Sequence, residues 1–180
     1  MNTKRLHLRR FNQNDRHDLY AYLSNPETVK YEPYPPITIE QSEVWASHYA
    51  DSEDYTAICL PENGKVIGQV FLAERSQQSF ELGYMLDPAY QQKGYAIEAV
   101  TAILNEAFHH RQAHRVYSYC HTQNKPSLRL LKKLGMRKEG RLMQNLCFEN
   151  AETGSKTWQD TYLYAILKEE WADINPSFNR

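Results

Sequence analysis

The stretch "DPAYQQKGYAIEAV", Asp87 to Val100, lies between an apolar strand-like run and an apolar helical run. Two glutamines, a lysine and a glycine mark the junction. Gly94 lets the backbone approach a ligand closely or take unusual dihedrals. The first N–H groups of the helix that follows have no intrahelical partners, and its dipole favours negative charge nearby. Together these features make a seat for an anion such as a pyrophosphate, with Lys93 as an added point charge. They equally suit an ordinary loop. No Lys-Ser/Thr pair follows the glycine and no three-glycine fingerprint surrounds it, so a P-loop and a dinucleotide fold are excluded. Other groups able to do chemistry are Glu81 in "FELGYML" and Asn124 and Ser127 in "CHTQNKPSLRLL". His110 and His114 stand at helical i,i+4 spacing. A metal site is one reading; a helix C-terminus favouring positive charge explains them better, and no metal is expected.

The elements that must position these groups are legible. "KRLHLRRF" alternates as a half-buried strand. "NQNDRHDLYAYLSNPETVKY" reads as a helix starting near Asn14 or Asp15 and broken at Asn25-Pro26. Thr38 and Gln41 form a capping box for a second helix. "YTAICL" and "VIGQVFLAE" flank Asn63-Gly64, a hairpin signal, and "FELGYML" is a further strand. From Gly94 onward the apolar residues follow helical spacing. "RVYSYCH" is a strand, Asn124 opens a short helix that Gly135 closes, and a hairpin turning at "AETGSK" ends the pattern. The order predicts one α/β (α+β) domain with a mixed central sheet of about seven strands and about four helices, spanning residues 1–172, with a tail over 173–180.

The chain has 180 residues, enough to bury a core, and a net charge of −1, which gives no broad field for nucleic acid or anionic lipid. The start "MNTKRLHLRRF" lacks the apolar region of a secretory signal, and no run approaches the ~18 apolar residues of a membrane span. Cys59, Cys120 and Cys147 stand far apart and read as small buried hydrophobes in a reducing compartment. The expectation is a cytoplasmic protein.

Gln91-x-x-Gly94-x-Ala96 after "ELGYMLDP" resembles the acetyl-CoA signature of the GNAT superfamily. "CHTQNKPSLRLLKKLGMRKEG" looks like the strand-helix-strand tail of that fold, and "WQDTYLYAILKEEW" resembles the RimJ/RimL-type branch, whose members acetylate protein N-termini or small amines. The resemblance spans about residues 3–171. It implies a GNAT fold and acetyl-CoA as co-substrate, with no metal. It further implies that N–H groups across Gln92, Lys93, Gly94, Tyr95 and Ala96 hold the pyrophosphate, with Gln91 of the signature also among the cofactor-binding residues. The strand at Tyr84, Met85 and Leu86 would pair with the pantetheine arm, a backbone N–H near Leu86 meeting the thioester oxygen, and Asn124 would bond pantetheine. Asn124 is a good N-cap in any case. Arg129, Lys132 and Lys133 could reach an adenosine phosphate, although a solvated helix face describes them better. Where the family often carries a tyrosine acid, this chain has Leu131, which leaves Ser127 as the donor near the sulfur.

Acyl transfer to an amine requires loss of the amine proton, stabilisation of the carbonyl oxygen and departure of the thiolate. Glu81 is the candidate base, acting through a water. An edge-strand charge paired with Arg75 is the alternative, and an amine pKa lowered in the pocket would need no base. Tyr31, Tyr34, Trp45, Trp158 and Asp160 are available for an acceptor pocket. The acceptor is a protein N-terminus or a small-molecule amine, with no nucleic acid or membrane partner; a homodimer is allowed. The competing reading is a non-catalytic acyl-CoA-binding sensor module.

Overall fold

The computed structural model describes residues 1–150 and 153–175. Part of the "AETGSK" turn and the tail beyond residue 175 therefore lie outside the described residues. Seven strands follow the order β1-β2-β3-β4-β5-β7-β6. They are β1 His7–Arg10, β2 Tyr55–Cys59, β3 Val66–Ser76, β4 Ser79–Leu86, β5 Arg115–His121, β6 Arg137–Glu149 and β7 Lys156–Leu167. The helices are α1 Arg16–Leu23, α2 Pro26–Val29, α3 Ile39–Asp51, α4 Tyr95–His109, α5 Lys125–Lys133 and α6 Lys168–Ile174. The described residues divide into two compact units. One comprises Met1–Lys30, Pro35–Leu72 and Gly83–Ile103; the other comprises Tyr31–Tyr34, Ala73–Leu82 and the chain from Leu104 onward.

In the first unit β1 pairs with β2 and β2 with β3, all antiparallel. The capping box expected for α3 is present: Gln41 N donates to Thr38 Oγ1, and Gln41 Oε1 accepts from Thr38 N. A buried polar chain ties α1 and α3 to β3. Tyr22 Oη donates to Gln69 Oε1 at 2.8 Å, and Gln69 Nε2 donates to Tyr49 Oη at 3.3 Å. A buried amide is tolerated here because both its ends find partners. Phe11, Tyr49, Tyr55 and Phe71 meet ring to ring in succession, Tyr49 stacked on Tyr55 and the outer pairs tilted.

In the second unit β4 pairs in parallel with β5 from Ser79↔Arg115 to Glu81↔Tyr117, and β5 pairs antiparallel with β7. Helix α5 ends as Gly135 predicts. Gly135 has φ +75°, its N–H reaches Lys132 O, and the Met136 N–H reaches Leu131 O, the paired bonds of a Schellman motif.

Among the described residues there are two more α-helices than the four expected. At Asn25-Pro26 the chain breaks and immediately restarts, because Asn25 Oδ1 accepts from Glu27 N and Pro26 suits the first helical position. Helix α6 follows β7 with no loop, its start held by Glu170 bonding the Leu167 N–H at 2.8 Å. Trp171 anchors it on Asn105 Oδ1 at 2.9 Å. The expected helical spacing of His110 and His114 does not hold. Helix α4 ends at His109, and the His114 N–H bonds Gln78 O as the chain turns into β5. Among the described residues no group of three or more His, Cys, Asp or Glu is placed to hold a metal ion.

Candidate active site

In the first unit, Asp87 Oδ1 accepts from Ala89 N at 2.9 Å and starts a single tight turn over Pro88–Tyr90. Gln91 Nε2 donates to Leu86 O at 3.1 Å, tying the loop to the end of β4. The next residues depart from ordinary backbone: Gln92 has φ +60° and Gly94 has φ +83°. For a non-glycine residue that conformation costs on the order of 1–2 kcal/mol. Gln78, Gln112 and Gln144 share a positive φ, and what sets this turn apart is Gly94 beside Gln92 and the helix that opens directly after it. Left-handed residues in such a turn aim successive N–H groups to one side, forming an anion-receiving nest. The 15-residue helix α4 begins directly after it at Tyr95, adding its dipole. Gln91, Gln92, Lys93 and Gly94 are exposed; Tyr95 and Ala96 are half-buried.

Two cations meet this loop. Lys93 folds back, its Nζ donating to Ala89 O at 3.0 Å and lying 5.2 Å from the centre of the Tyr90 ring. Arg5 is the residue that braces the turn. Its Nη1 donates to Lys93 O at 2.8 Å, its Nε pairs with Glu98 Oε2 at 2.7 Å, and its guanidinium lies 4.8 Å from the Tyr95 ring centre. Glu98 also accepts from Thr3 Oγ1 and from the Arg5 N–H, both at 2.7 Å. Burial alone would raise the Glu98 carboxyl, but the bonds from Thr3 and Arg5 outweigh it and hold the group below the ordinary carboxylate range. The sequence carried half of this signal, an acid in the first turn of a helix. Nothing local could announce Arg5, whose partners lie about ninety positions away.

Tyr84 and Met85 are half-buried and Leu86 is buried. Gly68 on β3 controls their position. A Cβ there would stand 2.3 Å from the Met85 carbonyl oxygen and 3.0 Å from Leu86 Cα, so the two strands meet at a distance only glycine permits. The Asp87 N–H closes this edge on Ile67 O at 2.9 Å. A glycine inside a strand pattern is the sequence signal for such a close approach.

The second unit holds the other candidates. Glu81 accepts from Arg75 Nε at 2.8 Å, so the charge pair weighed as an alternative is present. Glu81 neighbours Tyr117 across the parallel pair; burial first, then the Glu81 charge, pushes the Tyr117 hydroxyl up. Tyr117 meets Tyr119 edge-on with ring centres 5.6 Å apart.

At the far end of β5, Asn124 caps α5 as expected, accepting from Ser127 N at 3.2 Å. Burial pushes the Cys120 thiol up against a hydrogen bond from Ser127. His121 is buried; its Nδ1 accepts from the Gln123 N–H at 3.1 Å, and burial holds its pKa below the usual value. The Tyr31 ring lies 5.0 Å from the His121 ring. Arg129, Lys132 and Lys133 are exposed, as a solvated helix face requires. Of the proposed pocket residues, Asp160 is bonded by Gln144 N and Arg141. Trp158 is exposed, while Trp45 meets Tyr49 edge-on within the first unit. Cys59 and Cys120 are buried and Cys147 half-buried, all as free thiols; burial first of all pushes Cys59 up to about 11.

Residues 5–137 match the model of the acetyltransferase (GNAT) domain family. The chain is 36% identical over 171 residues to the uncharacterised N-acetyltransferase YnaD of Bacillus subtilis (strain 168), covering 94% of this chain and 97% of that one. It is 28% identical over 127 residues to the ribosomal protein uS5-alanine N-acetyltransferase of Escherichia coli (strain K12), covering 69% and 62% of the two chains. A GNAT-family acetyltransferase structure from Bacillus anthracis superposes with a TM-score of 0.82 at 29% identity, covering 94% of this chain and 98% of that one. No helix among the described residues is long and apolar enough to cross a membrane. With the fold, the family model and a relative of matching length in agreement, the chain belongs to the GNAT family of N-acetyltransferases, enzymes that move an acetyl group from acetyl-CoA to an amine.

Proposed function

We propose that residues 1–172 act as one acetyltransferase domain that binds acetyl-CoA as co-substrate and passes its acetyl group to a primary amine by direct attack in a ternary complex. The observation that carries the reading is the strained turn at Gln92 and Gly94, opening directly onto α4 and braced by Arg5. N–H groups from Gln92 to Ala96 would receive the pyrophosphate, whose charge suits both the nest and the helix dipole, while the Gln91 N–H closes the preceding turn on Pro88 O. The backbone of Tyr84, Met85 and Leu86 pairs with the pantetheine arm, and the Leu86 N–H faces the thioester oxygen as it becomes negative. In support, the paired part of β4 and β5 covers Ser79 to Glu81, while β4 continues to Leu86.

The chemistry requires no group beyond the two substrates and these side chains. The neutral amine attacks the thioester carbon, the C–N bond forms, and the C–S bond breaks as the tetrahedral intermediate collapses. Glu81 takes the amine proton through a water. Ser127 donates a hydrogen bond to the departing sulfur, and Asn124 holds pantetheine while capping α5. The acceptor is a protein N-terminus or a small amine, as in the RimJ/RimL-type branch; a ribosomal protein uS5-alanine N-acetyltransferase is among the relatives. Action in the cytoplasm belongs to the same proposal.

The test is thiol release from acetyl-CoA with a panel of peptide N-termini and small amines. Acetylated product from at least one amine is expected. Tight acetyl-CoA binding with no turnover on any acceptor would favour the non-catalytic sensor.

A further inference from the structure

The peptide joining Lys93 to Gly94 can stand in two orientations. On one side of it the Gln91 N–H is bonded to Pro88 O, and on the other Gly94 O accepts from Glu98 N at 3.2 Å as the first turn of α4 forms. The plane between them turns over by changing the dihedrals that flank it, and glycine accepts either sign of φ almost equally well. One orientation offers the Gly94 N–H to an anion. The other presents the Lys93 carbonyl oxygen, which repels it.

Arg5 selects the first. Its Nη1 donates to Lys93 O at 2.8 Å. In a trans peptide the carbonyl and the N–H that follows it point in opposite directions, so a carbonyl held on Arg5 turns the Gly94 N–H to the far side. That N–H has no partner among the described residues. The arginine is itself fixed. Glu98 accepts from its Nε and from its backbone N–H, both at 2.7 Å, and from Thr3 Oγ1 at 2.7 Å. A Cβ on Gly94 would stand 3.1 Å from Arg5 Nη2, so glycine here also leaves room for the guanidinium.

We propose that Arg5 is a positioning residue for the coenzyme: by holding Lys93 O it keeps the Gly94 N–H aimed at the pyrophosphate of acetyl-CoA. The inference rests on the acetyltransferase reading and adds to it a residue that acts through the backbone of the loop. Without Arg5 the binding-competent orientation is only partly populated, and apparent affinity falls by that fraction. The fork of the guanidinium matters, since one arm serves Glu98 while another serves Lys93 O. A lysine ammonium has the charge but no such rigid fork.

The experiment is calorimetric titration with acetyl-CoA of wild type, Arg5→Gln, Arg5→Lys and Arg10→Gln. Arg5→Gln should bind about tenfold more weakly, the scale of one hydrogen bond from a charged group. Arg5→Lys should show about the same loss, and carries the test if Arg5→Gln fails to fold. Arg10→Gln removes the same charge from an exposed arginine paired with Glu53 and should match wild type. A second ligand separates positioning from general support of the fold. S-acetyl-pantetheine carries the thioester but no pyrophosphate, and its binding, read by saturation-transfer NMR, should be equal in wild type and both Arg5 variants. Wild-type acetyl-CoA affinity in a folded Arg5→Gln protein would overturn the proposal. So would full affinity in Arg5→Lys, which would make Arg5 a charge alone. An equal loss for both ligands would overturn it too, leaving Arg5 a structural residue. A wild type that binds no acetyl-CoA would instead strike the acetyltransferase reading itself.

Discussion

Replacing Gly68 with alanine tests whether the backbone from Tyr84 to Leu86 serves the coenzyme. The new methyl would lie 2.3 Å from the Met85 carbonyl oxygen, whereas ordinary contact begins at 3.4 Å. The neighbour is backbone, so no side-chain rotation relieves the clash, and β4 must move by roughly 1 Å. Overpacking of this kind costs about 1–3 kcal/mol of stability. If Tyr84, Met85 and Leu86 pair with pantetheine, that displacement weakens two or so hydrogen bonds worth about 0.5–1.5 kcal/mol each. Acetyl-CoA affinity should then fall by about tenfold to a hundredfold. A 1 Å misplacement at the reacting carbonyl can lower turnover by about a hundredfold. The assay is calorimetric titration with acetyl-CoA, alongside a thermal melt to establish folding. Gly140→Ala is the control, since a Cβ there has no atom within 4 Å. A folded Gly68→Ala protein with wild-type affinity would refute the assignment of this strand edge to the coenzyme.

Gly94→Asp places a branched, charged side chain at φ +83° in the nest, and should weaken acetyl-CoA binding by at least about tenfold through strain and charge repulsion, read by the same titration. Glu81→Gln should slow turnover with little change in acetyl-CoA affinity; wild-type rates across pH would remove Glu81 as base. Glu98→Gln loosens the Thr3 and Arg5 brace. Because the folded Glu98 carboxyl lies below its unfolded value, its contribution is present above the unfolded pKa and is lost as pH falls through the folded one. Urea melts should therefore separate wild type from Glu98→Gln at neutral pH and converge in acid; an equal gap at both would contradict the brace.

Local signals carried far in this chain because its elements are punctuated by side chains that act within a few residues. Thr38 and Gln41, Asn124, Gly135 and Asn63-Gly64 each specify a start, stop or turn through bonds to adjacent backbone, and all were readable. Helix α6 escaped because it continues β7 without a break and is fixed by distant Asn105. The same division holds at the site. Gly94 marks the loop within its own sequence, but Arg5 and Gly68 act across long separations, where only the folded sheet shows what they meet. Lys93 was the natural candidate for a phosphate charge by proximity. Its own carbonyl neighbour Ala89 and the Tyr90 ring instead retain its ammonium.

The most direct test of the central claim is calorimetric titration of the purified protein with acetyl-CoA. The account predicts saturable binding in the micromolar range, lost or strongly weakened in Gly94→Asp. A folded wild-type protein that binds no acetyl-CoA would contradict it, returning the turn at Gln92 and Gly94 to the status of an ordinary loop.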